Sequence, residues 1–266
     1  MLILFAFVLT AFRVSLFASS SITIGGVTVE AGQGVAMCKV PLPEAITKKI
    51  KDKKRTHKEV KIGISLPEDF DTSKPQKYLF VAIPVNKPQD LDKGNIHAIK
   101  SFQREAGPLG WTVFAIDSDM GYPDGEQFEQ ITSFGLEVME EAIPAFSDSI
   151  FATAGHSGGA KNSAYSSGAI IKRKYELVGM FMSGCNEDKV GNSQKEFRTG
   201  KLGYREVKVF LSSGKKDKIA SPMDVKRVAK SLHSNGMKNV RIVSHTGGHG
   251  MEKSHISEAL EWFDSE

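Results

Sequence analysis

Phe151-Ala152-Thr153-Ala154-Gly155-His156-Ser157-Gly158-Gly159-Ala160 is the stretch on which the reading of this 266-residue chain turns. A short apolar segment of strand character runs into Gly-x-Ser-x-Gly, and a helical stretch of small residues follows at once. That order describes a sharp strand-to-helix turn that pushes a serine hydroxyl out of the backbone, a nucleophile elbow. Gly155 and Gly159 remove the side chains that so tight a turn cannot hold. Gly158, next after the serine, is placed to offer its backbone N–H to an oxyanion. The pentapeptide alone is weak evidence, since a Gly/Ser turn has the same composition.

What strengthens it is the order of the residues that follow. An elbow of this kind is served by an acid and then a histidine further along the chain. Val207-Lys208-Val209-Phe210-Leu211 reads as a strand and enters a polar loop that ends at Asp217. Val240 to Ser244 reads as the next strand, and Thr246-Gly247-Gly248-His249-Gly250 is the loop after it. A serine hydroxyl needs an imidazole to take its proton, and the imidazole needs a carboxylate to fix its tautomer. Ser157 is therefore the candidate nucleophile, His249 the candidate base and acid, and Asp217 the orienting carboxylate.

Each assignment has a rival. Asp224 is also downstream, but Ser221-Pro222-Met223-Asp224 has the pattern of a first helical turn, where a carboxylate serves the helix dipole. His245 reads as a satisfied histidine at a sheet edge, His255 as a solvent-facing residue of a final helix. His156 is divided between touching substrate and packing. A metal site from His245, His249 and His255 is disfavoured, because no carboxylate or cysteine completes a ligand set at the usual spacing.

Composition agrees with one α/β domain: 40% hydrophobic residues, 9% aromatics and a formal charge of +4. Part of that charge sits in a basic stretch from Lys48 to Lys58, read as a solvated face rather than a polyanion site; no aromatics interleave with it, so nucleic acid is not expected. Leu2 to Phe17 is apolar but for Thr10, Arg13 and Ser15, too short to span a bilayer, and Ala18-Ser19-Ser20 offers small residues for cleavage. Residues 1–20 are thus expected to be an export signal, with a retained membrane anchor as the rival. Residues 21–266 then form a single catalytic domain, secreted or periplasmic and without stable membrane insertion. Cys38 and Cys185 can form one disulfide after export or remain free and buried.

Along the chain, Ile22 to Val29 reads as early strand with a hairpin at Gly25-Gly26, and Glu59 to Leu66 as another strand. Tyr78 to Ile83 is a continuous apolar strand of the kind found inside parallel sheets. Asp92 to Glu105 and Glu126 to Ala145 carry helical patterns on either side of a strand at Trp111 to Ile116. Val178 to Met182 is one more strand after the elbow helix. Strands alternating with helices imply right-handed βαβ units, whose reactive groups gather beyond the carboxyl ends of the strands.

With Tyr78–Asn86, Ala154–Ala160, Gly214–Asp217 and Gly247–Gly250 in those places, the chain resembles the α/β-hydrolase superfamily. It looks most like the secreted esterases and polyester-depolymerase-like members, whose elbows read Gly-x-Ser-Gly-Gly. The resemblance implies a mostly parallel eight-stranded sheet with helices on both faces. It also implies hydrolysis of a small or polymeric ester through an acyl-serine, without a cofactor or metal. A second oxyanion donor is expected just after the third strand. Here that segment reads Ile83-Pro84-Val85-Asn86, where family members often carry His-Gly or Pro-Gly. Asn86 is the donor by position, with Val85 the lesser candidate, and Pro84 has no N–H to give. Peptidase or acyltransferase chemistry on the same triad, and a non-catalytic binding module, are the competing functions. Tyr122 is a candidate to line the pocket, and Phe128 is assigned to the core.

Overall fold

The computed structural model describes residues 20–50, 56–83, 91–118 and 126–265. Ten strands and seven helices are present among them. The strands are β1 (Ser21–Ile24), β2 (Val27–Glu30), β3 (Ala36–Pro41), β4 (Glu59–Ser65), β5 (Lys77–Val81), β6 (Trp111–Ser118), β7 (Ile150–His156), β8 (Glu176–Ser183), β9 (Lys208–Gly214) and β10 (Asn239–His245). The helices are α1 (Glu44–Lys49), α2 (Leu91–Ala106), α3 (Glu126–Ala142), α4 (Gly158–Lys172), α5 (Val190–Phe197), α6 (Pro222–Ser234) and α7 (Ser254–Asp264).

Eight strands form one sheet in the order β10-β9-β8-β7-β5-β6-β4-β3, while β1 and β2 pair as a separate hairpin. From β6 through β10 every neighbouring pair in the sheet is parallel. Only β4 runs against both of its neighbours. The expected mostly parallel eight-stranded sheet is the one observed. Its middle strands are dry on both faces: all eight residues of β6 are buried, as are Tyr78 to Val81 of β5. Helices on both faces make that possible, and the apolar runs of the sequence follow from it. Tyr78, Phe114, Phe146 and Phe151 form an aromatic cluster in this layer, with ring centroids 4.7 to 6.3 Å apart.

Chain order determines where a site can sit. From β5 the chain crosses to β6 on one side and later returns to β7 on the other. Such a reversal opens a crevice past the strands' carboxyl ends. Helix α4 starts there. It lies close to the sheet because its buried face is Gly159, Ala160, Ser163, Ala164, Ser167 and Gly168. The buried hydroxyls of Ser163 and Ser167 donate to the carbonyls of Ala160 and Ala164, so the face costs no unpaired donors.

Three readings need correction or completion. The edge strand β3 was not expected from the sequence; it ends at Pro41, which cannot donate to a ladder and so sits at an edge strand's end. His255 does not face solvent. It is buried, and its Nδ1 lies 2.9 Å from Ser212 Oγ beneath the sheet's last strands. Cys38 and Cys185 are both free and buried, and burial pushes each thiol up to about 11. Phe128 is in the core as expected. The export segment up to residue 19, Lys51 to Arg55 of the basic stretch, the Pro84-Val85-Asn86 segment and Tyr122 lie outside the described residues. Among the described residues no helix is long and apolar enough to cross a membrane.

Candidate active site

Ser157 sits between the end of β7 and the first residue of α4, with φ 55° and ψ −118°. A serine in that region stores about 1–3 kcal/mol of backbone strain, which the surroundings must hold in place. They do so from two sides. The Ser157 N–H donates to the Ser183 carbonyl of β8 at 2.8 Å, and the Ser157 carbonyl accepts from Ala160 N–H at 3.1 Å as α4 begins. Gly155 is forced by the same geometry, because a Cβ there would collide with the backbone carbonyl of Gly159. Gly158 is the first residue of α4, where a backbone N–H has no acceptor inside the helix. That N–H is therefore free for an anion at the positive end of the helix dipole.

Three loops bring the partners to the serine. His249 Nε2 is 2.8 Å from Ser157 Oγ, and His249 Nδ1 is 2.8 Å from Asp217 Oδ2. The other carboxylate oxygen, Asp217 Oδ1, accepts from the N–H groups of Ile219 and Ala220, each at 2.8 Å. Burial raises the Asp217 pKa. The Ala220 N–H, the His249 ring and the Ile219 N–H outweigh it, and the carboxyl ends below its ordinary 3.8. It is therefore an anion when the imidazole needs one. In this geometry an Nδ1–H of His249 can donate to the carboxylate, which leaves Nε2 to accept from the Ser157 hydroxyl.

The acid and histidine loops are also stitched to each other. Lys215 N–H donates to the His245 carbonyl at 2.8 Å, and Lys216 N–H to the Gly247 carbonyl at 2.9 Å. They approach so closely that Gly214 has no room for a Cβ against the Gly247 and Gly248 carbonyls. Asp224, the rival acid, is instead in a capping box with Ser221 at the start of α6. His245 accepts from the Gly247 N–H at its own strand end.

Three contacts join segments too far apart in the chain for the sequence to pair them. His156 places Nδ1 3.2 Å from Ser183 Oγ, and its ring centroid is 5.1 Å from that of His249. Burial lowers its pKa first and the neighbouring His249 ring next, so it is held toward the neutral form. Its ring therefore packs beside that of the candidate base. Asn162 of α4 donates through Nδ2 to the Ile83 carbonyl at 3.0 Å, tying the end of the β5 segment to the elbow helix. The expected oxyanion residue Asn86 follows three positions later, outside the described residues.

Solved structures share this arrangement of sheet and helices. An α/β serine hydrolase without a lid from Xanthomonas campestris superposes with a TM-score of 0.55 at 13% identity, over 88% of this chain and 97% of its own. Acyl-protein thioesterase 2 from Zea mays gives 0.51 at 14% identity, over 76% and 96%. The chain has the α/β-hydrolase fold. A candidate dipeptidyl aminopeptidase IV from Bacteroides ovatus is a longer protein: the TM-score is 0.54 at 12% identity, and the match spans 86% of this chain but 35% of that one. No protein-family model matches the sequence, and no curated protein matches it.

Proposed function

We propose that the chain is a serine hydrolase of carboxylic esters, working through an acyl-enzyme on Ser157. The observation that carries this reading is the unbroken relay from Asp217 through His249 to Ser157, with both links at 2.8 Å. The His249 imidazole takes the Ser157 proton as Oγ attacks the ester carbonyl, and Asp217 stabilises the imidazolium that forms. The new oxyanion turns to the Gly158 N–H, with Asn86 N–H the second donor expected from the sequence. Collapse of the tetrahedral adduct breaks the bond to the alkoxy oxygen, which leaves as alcohol with the proton His249 carries. Water then repeats the cycle on the acyl group, again giving its proton to His249, and releases the acid.

A binding module that merely kept the fold gains nothing from a strained serine aligned on a buried acid–histidine pair. Export belongs to the same proposal: it rests on the apolar run Leu2 to Phe17 and on Ala18-Ser19-Ser20. A panel of nitrophenyl esters of rising acyl length, run beside peptide anilides, tests the substrate class. Turnover of the esters, graded with acyl length, and no turnover of the anilides is the expected result. Anilide cleavage at a comparable kcat/KM would make the enzyme a peptidase.

A further inference from the structure

Five large hydrophobic side chains are conspicuously exposed among the described residues, and two of them lie in the segment that clamps the candidate acid and leads into α6. Ile219 is 59% exposed and Met223 69%. Single exposed apolar residues are ordinary on any protein. These two stand four positions apart in a segment that has little freedom to hide them. Ile219 N–H is bonded to Asp217, its carbonyl accepts from Asn186 Nδ2 at 3.0 Å, and Met223 lies in the first turn of α6 behind the Ser221–Asp224 capping box.

The charges beside them point to what covers them. Lys215, Lys216 and Lys218 are all exposed, and none has a carboxylate within ion-pair distance among the described residues. The acids of the same edge are engaged elsewhere. Glu187 is bonded to Lys161 and Lys189, Asp188 to Ser231 and Asn235, and Asp224 to Arg227. Cations without a carboxylate partner among the described residues, interleaved with apolar side chains on a held backbone, match a lipid surface with anionic headgroups. There ammonium groups meet phosphates and the apolar tips enter the acyl boundary. A nucleic acid backbone would satisfy the lysines and leave Ile219 and Met223 in water.

We infer that the Lys215–Met223 rim is a docking surface for an anionic phospholipid interface, which sets the Ser157 crevice against the lipid. The consequence for substrate choice rests on the hydrolase reading, whereas docking is measured without turnover, so either can fail alone. Three lysines near such a surface correspond to an affinity gain on the order of a hundredfold over a neutral one.

The full chain carrying Ser157→Ala is labelled with an environment-sensitive nitrobenzoxadiazole at Met223→Cys, or in a control at Leu202→Cys. Both native thiols are buried, so the introduced one reacts selectively. Leu202 is the right control because neighbouring Gly203 backs onto Ile171 in the last turn of α4, the end away from Ser157. With phosphatidylcholine vesicles containing about 30% phosphatidylglycerol, the dye at 223 is expected to shift to the blue and brighten, and the dye at 202 to stay unchanged. Phosphatidylcholine alone, or replacing Lys215, Lys216 and Lys218 by Glu, is expected to abolish the shift. Reading one position keeps any binding by the amino-terminal apolar run from mimicking the result. No shift at 223, an equal shift at both positions, or a shift that survives the lysine replacements would overturn the proposal. So would a shift that needs no vesicles and grows with protein concentration, which would put a second copy of the chain on the rim.

Discussion

Replacing Ser157 by alanine is expected to lower kcat/KM on a soluble short-chain ester by about 10⁶-fold, with the far-UV circular dichroism unchanged. The size of the effect follows from the geometry. His249 Nε2 has one acceptor role in the relay, and Ser157 Oγ is the group it faces at 2.8 Å. Without that hydroxyl the imidazole can at best direct a water onto the ester, and the remaining acceleration comes from the oxyanion donors and substrate positioning. Alanine leaves the fold intact because the elbow is held by backbone contacts that the substitution keeps: Ser157 N–H to Ser183, and the 157 carbonyl to the first turn of α4. A loss below about a hundredfold would mean that another group is the nucleophile.

Asp217→Asn is expected to be the next most damaging change, about 10⁴-fold in kcat. An amide that turns its NH₂ toward His249 Nδ1 meets an acceptor and fixes the proton on Nε2, the wrong tautomer for a base facing Ser157. Turned the other way, the NH₂ meets the N–H groups of Ile219 and Ala220, where the carboxylate now accepts two hydrogen bonds. The same substitution has a signature in stability. In the fold the Asp217 carboxyl lies below its ordinary 3.8, so the charged form is the one the native state favours. Its contribution is complete above the unfolded value and is lost as pH falls through the lower folded value. Urea unfolding should therefore show a gap between the native protein and Asp217→Asn that is level from about pH 7 to 5 and closes below about pH 4. A gap that widens in acid would reverse the assigned shift.

The parts legible in the sequence are those that depend on local pattern. Gly155-His156-Ser157-Gly158-Gly159 needs only a strand before it and small residues after it, and Asp217 and His249 each follow a recognisable β-branched run. The sheet follows from the same alternation, because strands buried on both faces must read as apolar runs such as Tyr78 to Val81. The parts that were not legible are set by partners far along the chain. His255 reads as a surface residue of a final helix until Ser212, 43 positions earlier, is beside it. The edge strand β3 turns Ala36, Cys38 and Val40 to the core, but apolar Met37 and a closing Pro41 stand at the alternate positions, so its alternation is faint; pairing with β4 from Ala36 to Pro41 makes it a strand. His156 reads from the sequence as packing or substrate contact in equal measure, and only the fold brings it beside the Ser183 hydroxyl and the His249 ring.

In the proposed reaction one serine hydroxyl, Ser157, is made nucleophilic by its neighbours His249 and Asp217. Intact-mass and peptide mass spectrometry after incubation with a fluorophosphonate measures that directly. One adduct per chain on Ser157, absent from Ser157→Ala and strongly slowed in Asp217→Asn, is the expected result. A folded protein that takes up no probe, or takes it up on a residue other than Ser157, would contradict it.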